Sequence, residues 1–517
     1  MIWVMPILGA GAVLLSAIKW LRVAQREHYL PGALLQMRRV WIASRRWNLV
    51  EMLLVLGAVG GWILRPVSAW PMIGVVAIVI FPVGLTFRGR TSPLVWTARL
   101  KRSAALAFGI LATCGTLLTW LIGMTAGRHM AGTATIASVV CSYFALDAAL
   151  WLAAPVEKRM SKRFVDQAST ALARVRPVVV GITGSYGKTS TKWYVNQLVH
   201  GTRRVVVSPA SFNNRLGLAR AVNEHLTADA EVFVAEMGTY GRGEIAELCS
   251  WLQPTVAVLT AIGPVHLQRF RSEERIVEAK SEIIRGADAV VLNVDHPLLA
   301  QLADRLDRGK PGLRVWRCGT SEMASDVRVS EDRMGVLVRI RGEAGVHVPS
   351  TGVFLPNLAC AVAVAVELGV RAQDINERAA RLTQAEHRQS IGRSGKGFTI
   401  IDDTFNSNPA GAARALEVLI SLGGSDATRV VVTPGMVELG PRQRIENARF
   451  GAQASRMADV LVIVGRSNRR ALIHGARGGR ASLVTVDTRE EAVEWVRGRL
   501  GPGDAVLYEN DLPDHYP

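Results

Sequence analysis

The chain has 517 residues, a formal net charge of +18, 49% hydrophobic residues and five cysteines. That length allows about three units of ordinary size. The hydrophobic excess lies before about residue 155, which excludes a wholly soluble chain. No lysine/arginine stripe is interleaved with aromatics, which argues against a nucleic-acid partner, and the basic residues instead flank apolar runs, as beside a membrane surface. Cys114, Cys141, Cys249, Cys318 and Cys360 form no CxxC pair and read as buried, reduced thiols.

Five apolar runs come first, at about 2–18, 49–64, 70–87, 104–125 and 132–154. They predict about five transmembrane helices, some needing tilt or bilayer thinning. The first lacks a basic leader and a small-x-small cleavage site, so it reads as a span rather than a signal peptide. Alternate connections carry Lys19, Arg22, Arg26, Arg38, Arg39, Arg45 and Arg46, then Arg88, Arg90, Arg99, Lys101 and Arg102, then Lys158, Arg159, Lys162 and Arg163. The other two carry only Arg65 and Arg128. The positive-inside rule then predicts a multi-pass protein of the cytoplasmic membrane, with its N-terminus outside and everything after residue 157 cytoplasmic. The segment Gln25–Arg39 is too polar to span; it predicts a cytoplasmic loop with an interfacial helix, or a headgroup-facing site using Glu27, His28 and Tyr29.

Residues 158–176 read as a basic amphipathic connector. Pro177–Thr183 is then a buried strand and Lys188–Val199 a helix, with Gly184, Ser185, Gly187, Lys188, Thr189 and Ser190 between and at its start. Strand, glycine-rich turn and helix form a phosphate loop: backbone N–H groups approach the phosphates, lysine neutralises charge and a hydroxyl reaches Mg²⁺. The strict G-x-x-x-x-G-K-[ST] pattern is not met, since its first glycine position holds Ile182; what stands there is T-G-S-x-G-K-T, Thr183 to Thr189.

TGSYGKTS resembles the ATP loop of the Mur ligases, the ATP-dependent amide-forming enzymes of peptidoglycan precursor synthesis. Further segments resemble that family in the same order: Asn213-Asn214-Arg-Leu-Gly217, Ala235-Glu236-Met237-Gly238, Ile262-Gly-Pro-Val-His266-Leu, Ala279-Lys280-Ser-Glu-Ile, Pro356-Asn357-Leu-Ala, His387-Arg388, and Asp402-Asp403-Thr-Phe-Asn406-Ser-Asn408-Pro409. The last spelling is similar to the branch that adds D-alanyl-D-alanine.

The resemblance implies a membrane-anchored carboxylate–amine ligase working through an acyl phosphate. Its implied substrates are ATP, a muramoyl-peptide or lipid-linked carboxylate acceptor, and D-alanyl-D-alanine or an amino acid as amine. By the same resemblance Lys188 holds the β/γ-phosphates, and Thr189 and Glu236 hold one Mg²⁺. His266 and a carbamylated Lys280 serve a second Mg²⁺, carbamylation turning a cation into a carboxylate-like ligand. Asn357 faces adenine, Arg388 a phosphate and Asp403 the ribose.

The implied organisation is α/β: a transmembrane region 1–157, the connector 158–176, a Mur-ligase-like P-loop ATPase domain 177–388 with a β-rich insert near 326–350, and a smaller Rossmann-like domain 389–517. Strands of the last domain are expected at Thr399–Asp402, Arg429–Thr433, Val460–Val464, Leu483–Val486 and Ala505–Tyr508, in a mostly parallel sheet. The departures lie elsewhere. Nothing soluble precedes the loop where the family carries a domain for the uridine diphosphate end of its substrate. A GDM-x-ELG segment stands as Pro434-Gly435-Met436-Val437-Glu438-Leu439-Gly440, Asn447 replaces a common histidine, and the end reads Leu507–Asp514 in place of a KGS-type turn. These departures concern acceptor and amine rather than ATP. They leave open a membrane poly-amino-acid synthase or a nucleotide-binding scaffold for wall synthesis. An ATP-driven transporter is disfavoured, because the spans hold few charges, Asp147 chief among them.

Overall fold

The computed structural model describes residues 4–44, 48–65, 67, 69–85, 93–126, 130–209, 212–265, 267–349, 353–384, 390–405, 407–422, 426–512 and 516. The chain divides into two compact units, Met1–Met160 with Leu512–Pro517, and Ser161–Asp511.

The first unit is helical: α1 (Val4–Arg26), α2 (Ala33–Ser44), α3 (Asn48–Leu64), α4 (Ala69–Ile80), α5 (Ala98–Ala126) and α6 (Met130–Val175), which runs on into the second unit. Each apolar run of the sequence falls largely within one of α1, α3, α4, α5 and α6, and α2 begins within the polar segment after α1. Among the described residues two helices, not the five expected, are long and apolar enough to cross a membrane, within α1 and α6, or three if the bent pair α2–α3 counts as one span. α4, at 12 residues, rises only about 18 Å, short of a hydrocarbon core. Leu53, Leu56, Ile63, Trp120, Phe144 and Trp151 are exposed.

Side chains tie the helices to one another and to the segment after α1. Lys19 Nζ donates to Val79 O (2.6 Å), Val83 N to Asn48 Oδ1 (3.0 Å), Tyr143 OH to Glu51 Oε1 (2.7 Å), and Gly32 N and Leu35 N to the Asp147 carboxylate (both 2.9 Å). The Arg38 guanidinium lies over the rings of Trp20 (4.2 Å) and Tyr143 (4.3 Å). At the opposite ends Trp62 Nε1 donates to Thr133 Oγ1 (3.2 Å).

The second unit holds two sheets. The first comprises β1 (Val178–Thr183), β2 (Val205–Val207), β3 (Val232–Glu236), β4 (Val256–Leu259), β5 (Ala289–Asn293), β6 (Arg314–Gly319), β7 (Val327–Asp332), β8 (Gly335–Ile340) and β9 (Val346–Val348), in the order β2-β3-β1-β4-β5-β6-β7-β8-β9. Pairing is parallel from β2 to β7 and antiparallel across β7, β8 and β9, the β-rich insert read from the sequence. β1, β3, β4 and β5 are near-continuous apolar runs because helices cover both faces of this sheet.

The second sheet comprises β10 (Ser390–Arg393), β11 (Thr399–Asp403), β12 (Arg429–Thr433), β13 (Val460–Val464), β14 (Ser482–Val486) and β15 (Ala505–Glu509), in the order β10-β11-β15-β12-β13-β14. It is parallel except for β10. The five expected strands stand within one residue of their expected limits. β10 was not expected: Ser-Ile-Gly-Arg is a short, exposed edge strand with no apolar alternation to mark it.

Candidate active site

Strand register assembles the site. In parallel pairing Ile182 stands opposite Glu236 and Thr183 opposite Leu259. The turn after β1, the acid ending β3 and the segment after β4 therefore meet at the carboxyl edge of the sheet, where open α/β sheets bind ligands.

The turn runs from Gly184 to Gly187 and enters α7 (Lys188–Val199), whose range is the one expected. Gly187 is left-handed, with φ 85°. A Cβ there would also lie 2.3 Å from Asn357 Oδ1, so both backbone and space demand glycine. A Cβ on Gly184 would lie 2.1 Å from Thr260 Oγ1. Ser185 fastens the turn to the neighbouring segment: its N donates to Ala261 O (2.7 Å), and its hydroxyl bridges Gly263 O (3.2 Å) and Gly263 N (3.1 Å). Tyr186 OH donates to Ile262 O (3.0 Å) and its ring packs on the core of the second sheet. Burial, with Glu273 and Glu446 near, pushes this phenol up to about 12.

Lys188 Nζ and Lys280 Nζ both donate to Gly184 O, each at 2.9 Å. Lys280 is buried at 2% exposure. Burial first, and the Lys188 charge second, hold its amine well below the usual lysine range. Thr189 Oγ1 donates to Glu236 Oε2 (3.0 Å). Lys192, one turn further along α7, reaches the same Glu236 oxygen (3.2 Å) and also donates to Ser208 O (2.8 Å). Ser208 Oγ in turn accepts from Glu236 N (3.1 Å).

The adenosine-side candidates converge separately. Gly187, Ser190, Asn357, Asp403, Ser407 and Asn408 line one cleft. Asn357 opens the buried helix Leu355–Glu367, and among the described residues its buried Oδ1 has no hydrogen-bond partner. Asp403 ends β11, and Asn408 caps the following helix by accepting from Gly411 N (3.0 Å). His266 and Arg388 lie outside the described residues, so the structure brings together Gly184, Ser185, Gly187, Lys188, Thr189, Ser190, Glu236, Lys280, Asn357 and Asp403 without them.

The donors fit a nucleotide and a hard cation. The orphaned Asn357 oxygen suits an exocyclic amino group, which is a donor. One carboxylate and one hydroxyl beside a phosphate cradle suit Mg²⁺, which keeps waters and phosphate oxygens as its other ligands. Among the described residues no group of three or more His, Cys, Asp or Glu side chains is placed to hold a metal alone.

Sequence reasoning missed Lys192, Ser208 and Tyr186. Lys192 carried a signal, a lysine one turn after Lys188 on a helix that otherwise faces the core; Tyr186 occupies the variable position of the turn and carried none. The sequence departures around residue 435 are structural. Asn447 accepts from Met436 N (2.8 Å) and donates to Met436 O (2.9 Å), Asn468 Nδ2 donates to Pro434 O (3.0 Å), and Asn510 Nδ2 donates to Gly435 O (2.6 Å). Three asparagines thus hold the loop. Gly435, with φ 77° and no room for a Cβ beside Asn447 Oδ1 (2.3 Å), is required by it.

Residues 182–365 match the Mur ligase middle domain, and residues 387–508 the Mur ligase glutamate ligase domain. The chain is 33% identical over 365 residues to the UDP-N-acetylmuramoyl-tripeptide–D-alanyl-D-alanine ligase of Mycobacterium tuberculosis, covering 64% of this chain and 69% of that one. It is 30% identical over 304 residues to the enzyme of that name from Bacillus subtilis, covering 56% and 65%. Among solved structures, MurF ligase from Thermotoga maritima in complex with ADP superposes with a TM-score of 0.56 at 26% identity, over 68% of this chain and 80% of that one. MurF from Acinetobacter baumannii gives a TM-score of 0.57 at 24% identity, over 67% and 77%, a likeness of fold.

Proposed function

This chain belongs to the Mur ligase family, an ATP-dependent ligase that forms C–N bonds, and from that premise we propose that it joins the terminal carboxylate of a muramoyl tripeptide to the amine of D-alanyl-D-alanine at a membrane. The observation that carries the reading is that Gly187, Ser190, Asn357 and Asp403 line one cleft, while the same turn and helix start hold Lys188 on Gly184 O and Thr189 on Glu236.

The acceptor carboxylate attacks the γ-phosphorus of ATP; ADP leaves and an acyl phosphate forms. The neutral amine of D-alanyl-D-alanine then attacks the acyl carbon. Phosphate leaves with the C–O electrons, and the amine proton passes to solvent. Lys188 draws on the β/γ-phosphates as the turn's N–H groups cradle them. Mg²⁺, when bound, neutralises charge on the phosphates. Thr189 and Glu236 would hold it, with Lys192 holding Glu236 in place. Asn357 accepts from the adenine amino group and Asp403 takes the ribose hydroxyls. Arg388, by resemblance, takes a phosphate.

Lys280 serves as a carbamate. Its neutral amine adds to CO₂ and loses a proton, giving an anionic group that, with His266, would hold a second Mg²⁺. The low basicity of this buried amine supports the step, since only a neutral amine adds to CO₂.

The bodies implied are 1–157 in the membrane as a multi-pass anchor with its N-terminus outside, 158–176 as connector, 177–388 as ATPase domain and 389–517 as the domain presenting the amine. The acceptor carries a diphosphate, on either a nucleotide or a membrane lipid. The test is the product: detergent-solubilised protein with Mg-ATP, D-alanyl-D-alanine and either UDP-linked or lipid-linked muramoyl tripeptide. Mass spectrometry shows the amide with one of them. ATP consumption with free amino acids alone, giving a homopolymer, overturns the reading in favour of a poly-amino-acid synthase. Nucleotide binding with no product on any pair overturns it in favour of a scaffold.

A further inference from the structure

We propose that a basic hollow between the helices Gln443–Met457 and Arg469–Ala476 binds the diphosphate of the acceptor, an inference that rests on the ligase reading above. The hollow encloses about 770 Å³, in the range of small-ligand sites rather than of a single ion. Arg444, Arg470, His474 and Arg477 line it, and among the described residues no carboxylate does.

The surrounding arginines are compensated. Arg442 pairs with Glu273, Arg449 with Glu446, Arg466 and Arg469 with Asp487, and Arg480 with Asp459. By contrast, no ion pair or hydrogen bond is recorded among the described residues for the guanidinium groups of Arg444, Arg470 and Arg477. Cations gathered in a concavity without counter-charge focus a positive field there. Guanidinium forks are the donors that match phosphate oxygens in pairs. Three of them suit a diphosphate better than one carboxylate.

Position argues for the acceptor rather than ATP. The ATP phosphates have their own cradle at Gly184–Thr189. The hollow's rim is Gly440 and Pro441, and the same turn carries Arg442, whose Nη1 reaches Glu273 Oε1 (2.6 Å) on the helix Glu273–Ser281 that also carries Lys280. Its floor is the brace of the 434–440 loop: Gln443 Nε2 donates to Asn468 Oδ1 (2.9 Å), and Asn468 Nδ2 to Pro434 O. A ligand seated there is coupled to the 434–440 loop, where Pro434 and Gly435 stand in place of the first two residues of a GDM-x-ELG segment. The relatives are named for a substrate that carries a uridine diphosphate, and the family match of this chain starts only at residue 182, after the helical unit.

The test uses the full chain in detergent, with inorganic pyrophosphate, UDP and a polyprenyl diphosphate as probes. The variant is the triple Arg444→Ser, Arg470→Ser, Arg477→Ser, all exposed positions. Expected is diphosphate binding to the native chain that weakens at least about tenfold in the variant, with acceptor KM rising by the same factor while kcat and the KM for ATP hold. The tighter of the UDP and polyprenyl arms names the source of the diphosphate. Unchanged diphosphate affinity overturns the inference. So does binding to phosphatidylglycerol vesicles that is lost with the arginines while the diphosphates do not compete, which makes the hollow a membrane contact. Loss of diphosphate binding in the variant with no amide formed by the native chain keeps the diphosphate site but sinks the ligase reading and with it the assignment to an acceptor; amide formation with an unchanged acceptor KM overturns the inference and leaves the ligase reading.

Discussion

Lys188 and Lys280 share one acceptor, the carbonyl oxygen of Gly184, at 2.9 Å each. Burial first, and the neighbouring Lys188 charge second, hold the Lys280 amine well below the usual lysine range, which raises its neutral fraction. A neutral amine at this point is reactive toward CO₂. Purified protein equilibrated with ¹³C-bicarbonate should give a carbamate carbon signal that Lys280→Met removes. Turnover should fall at least about a hundredfold in that variant while nucleotide binding persists. Carbamate signal unchanged in Lys280→Met places the modification elsewhere.

Glu236 and Lys192 form a pair whose side chains are only 3% and 5% exposed. Removing one partner of such a pair strands the other charge, at a cost of about 3–5 kcal/mol. Glu236→Gln should therefore lower the melting temperature and raise the Mg²⁺ needed for half-maximal activity. The double variant Glu236→Gln, Lys192→Met should recover much of the stability and none of the activity. If the double variant is as unstable as the single one, the ion pair is not what the fold depends on.

Gly187→Ala places a methyl group 2.3 Å from Asn357 Oδ1 on a left-handed backbone. It should abolish binding of a fluorescent ATP analogue. Asn357→Ala removes a single hydrogen bond to the base and should weaken ATP about five- to tenfold. Equal effects of Asn357→Ala on ATP and GTP would remove Asn357 from base recognition.

The sequence made the phosphate turn, the acid ending β3 and the start of the Leu355–Glu367 helix legible, because each needs a residue type at a fixed place beside an apolar strand or helix. It also revealed every parallel strand of the second sheet, each a short, mostly apolar run rich in valine, isoleucine, leucine or threonine. It did not reveal β10, whose residues bury almost nothing, nor the partner of Lys192, which becomes definite only when α7 is docked on the sheet beside Glu236. The asparagine brace of residues 434–436 was equally hidden: Asn447, Asn468 and Asn510 come from three separate elements and meet only in the fold. Apolar patterning located the helices of the first unit but not their lengths. α4 ends at Ile80, before the Phe81-Pro82 step, although the apolar run continues to about residue 87.

The lysine of the phosphate turn offers a simple control for all of these. Lys188→Ala should remove turnover while leaving the helical unit inserted in membranes, read by co-sedimentation with vesicles. Phosphate release unchanged in this variant would contradict the ATP assignment.

The most direct measurement follows an oxygen atom. The acceptor tripeptide is labelled with ¹⁸O in its terminal carboxylate and incubated with the full chain, Mg-ATP and D-alanyl-D-alanine. An acyl phosphate transfers one carboxylate oxygen to phosphorus, so the account predicts one ¹⁸O in each phosphate released, together with the amide. Amide accompanied by unlabelled phosphate, or phosphate released without acceptor and amine, would contradict it.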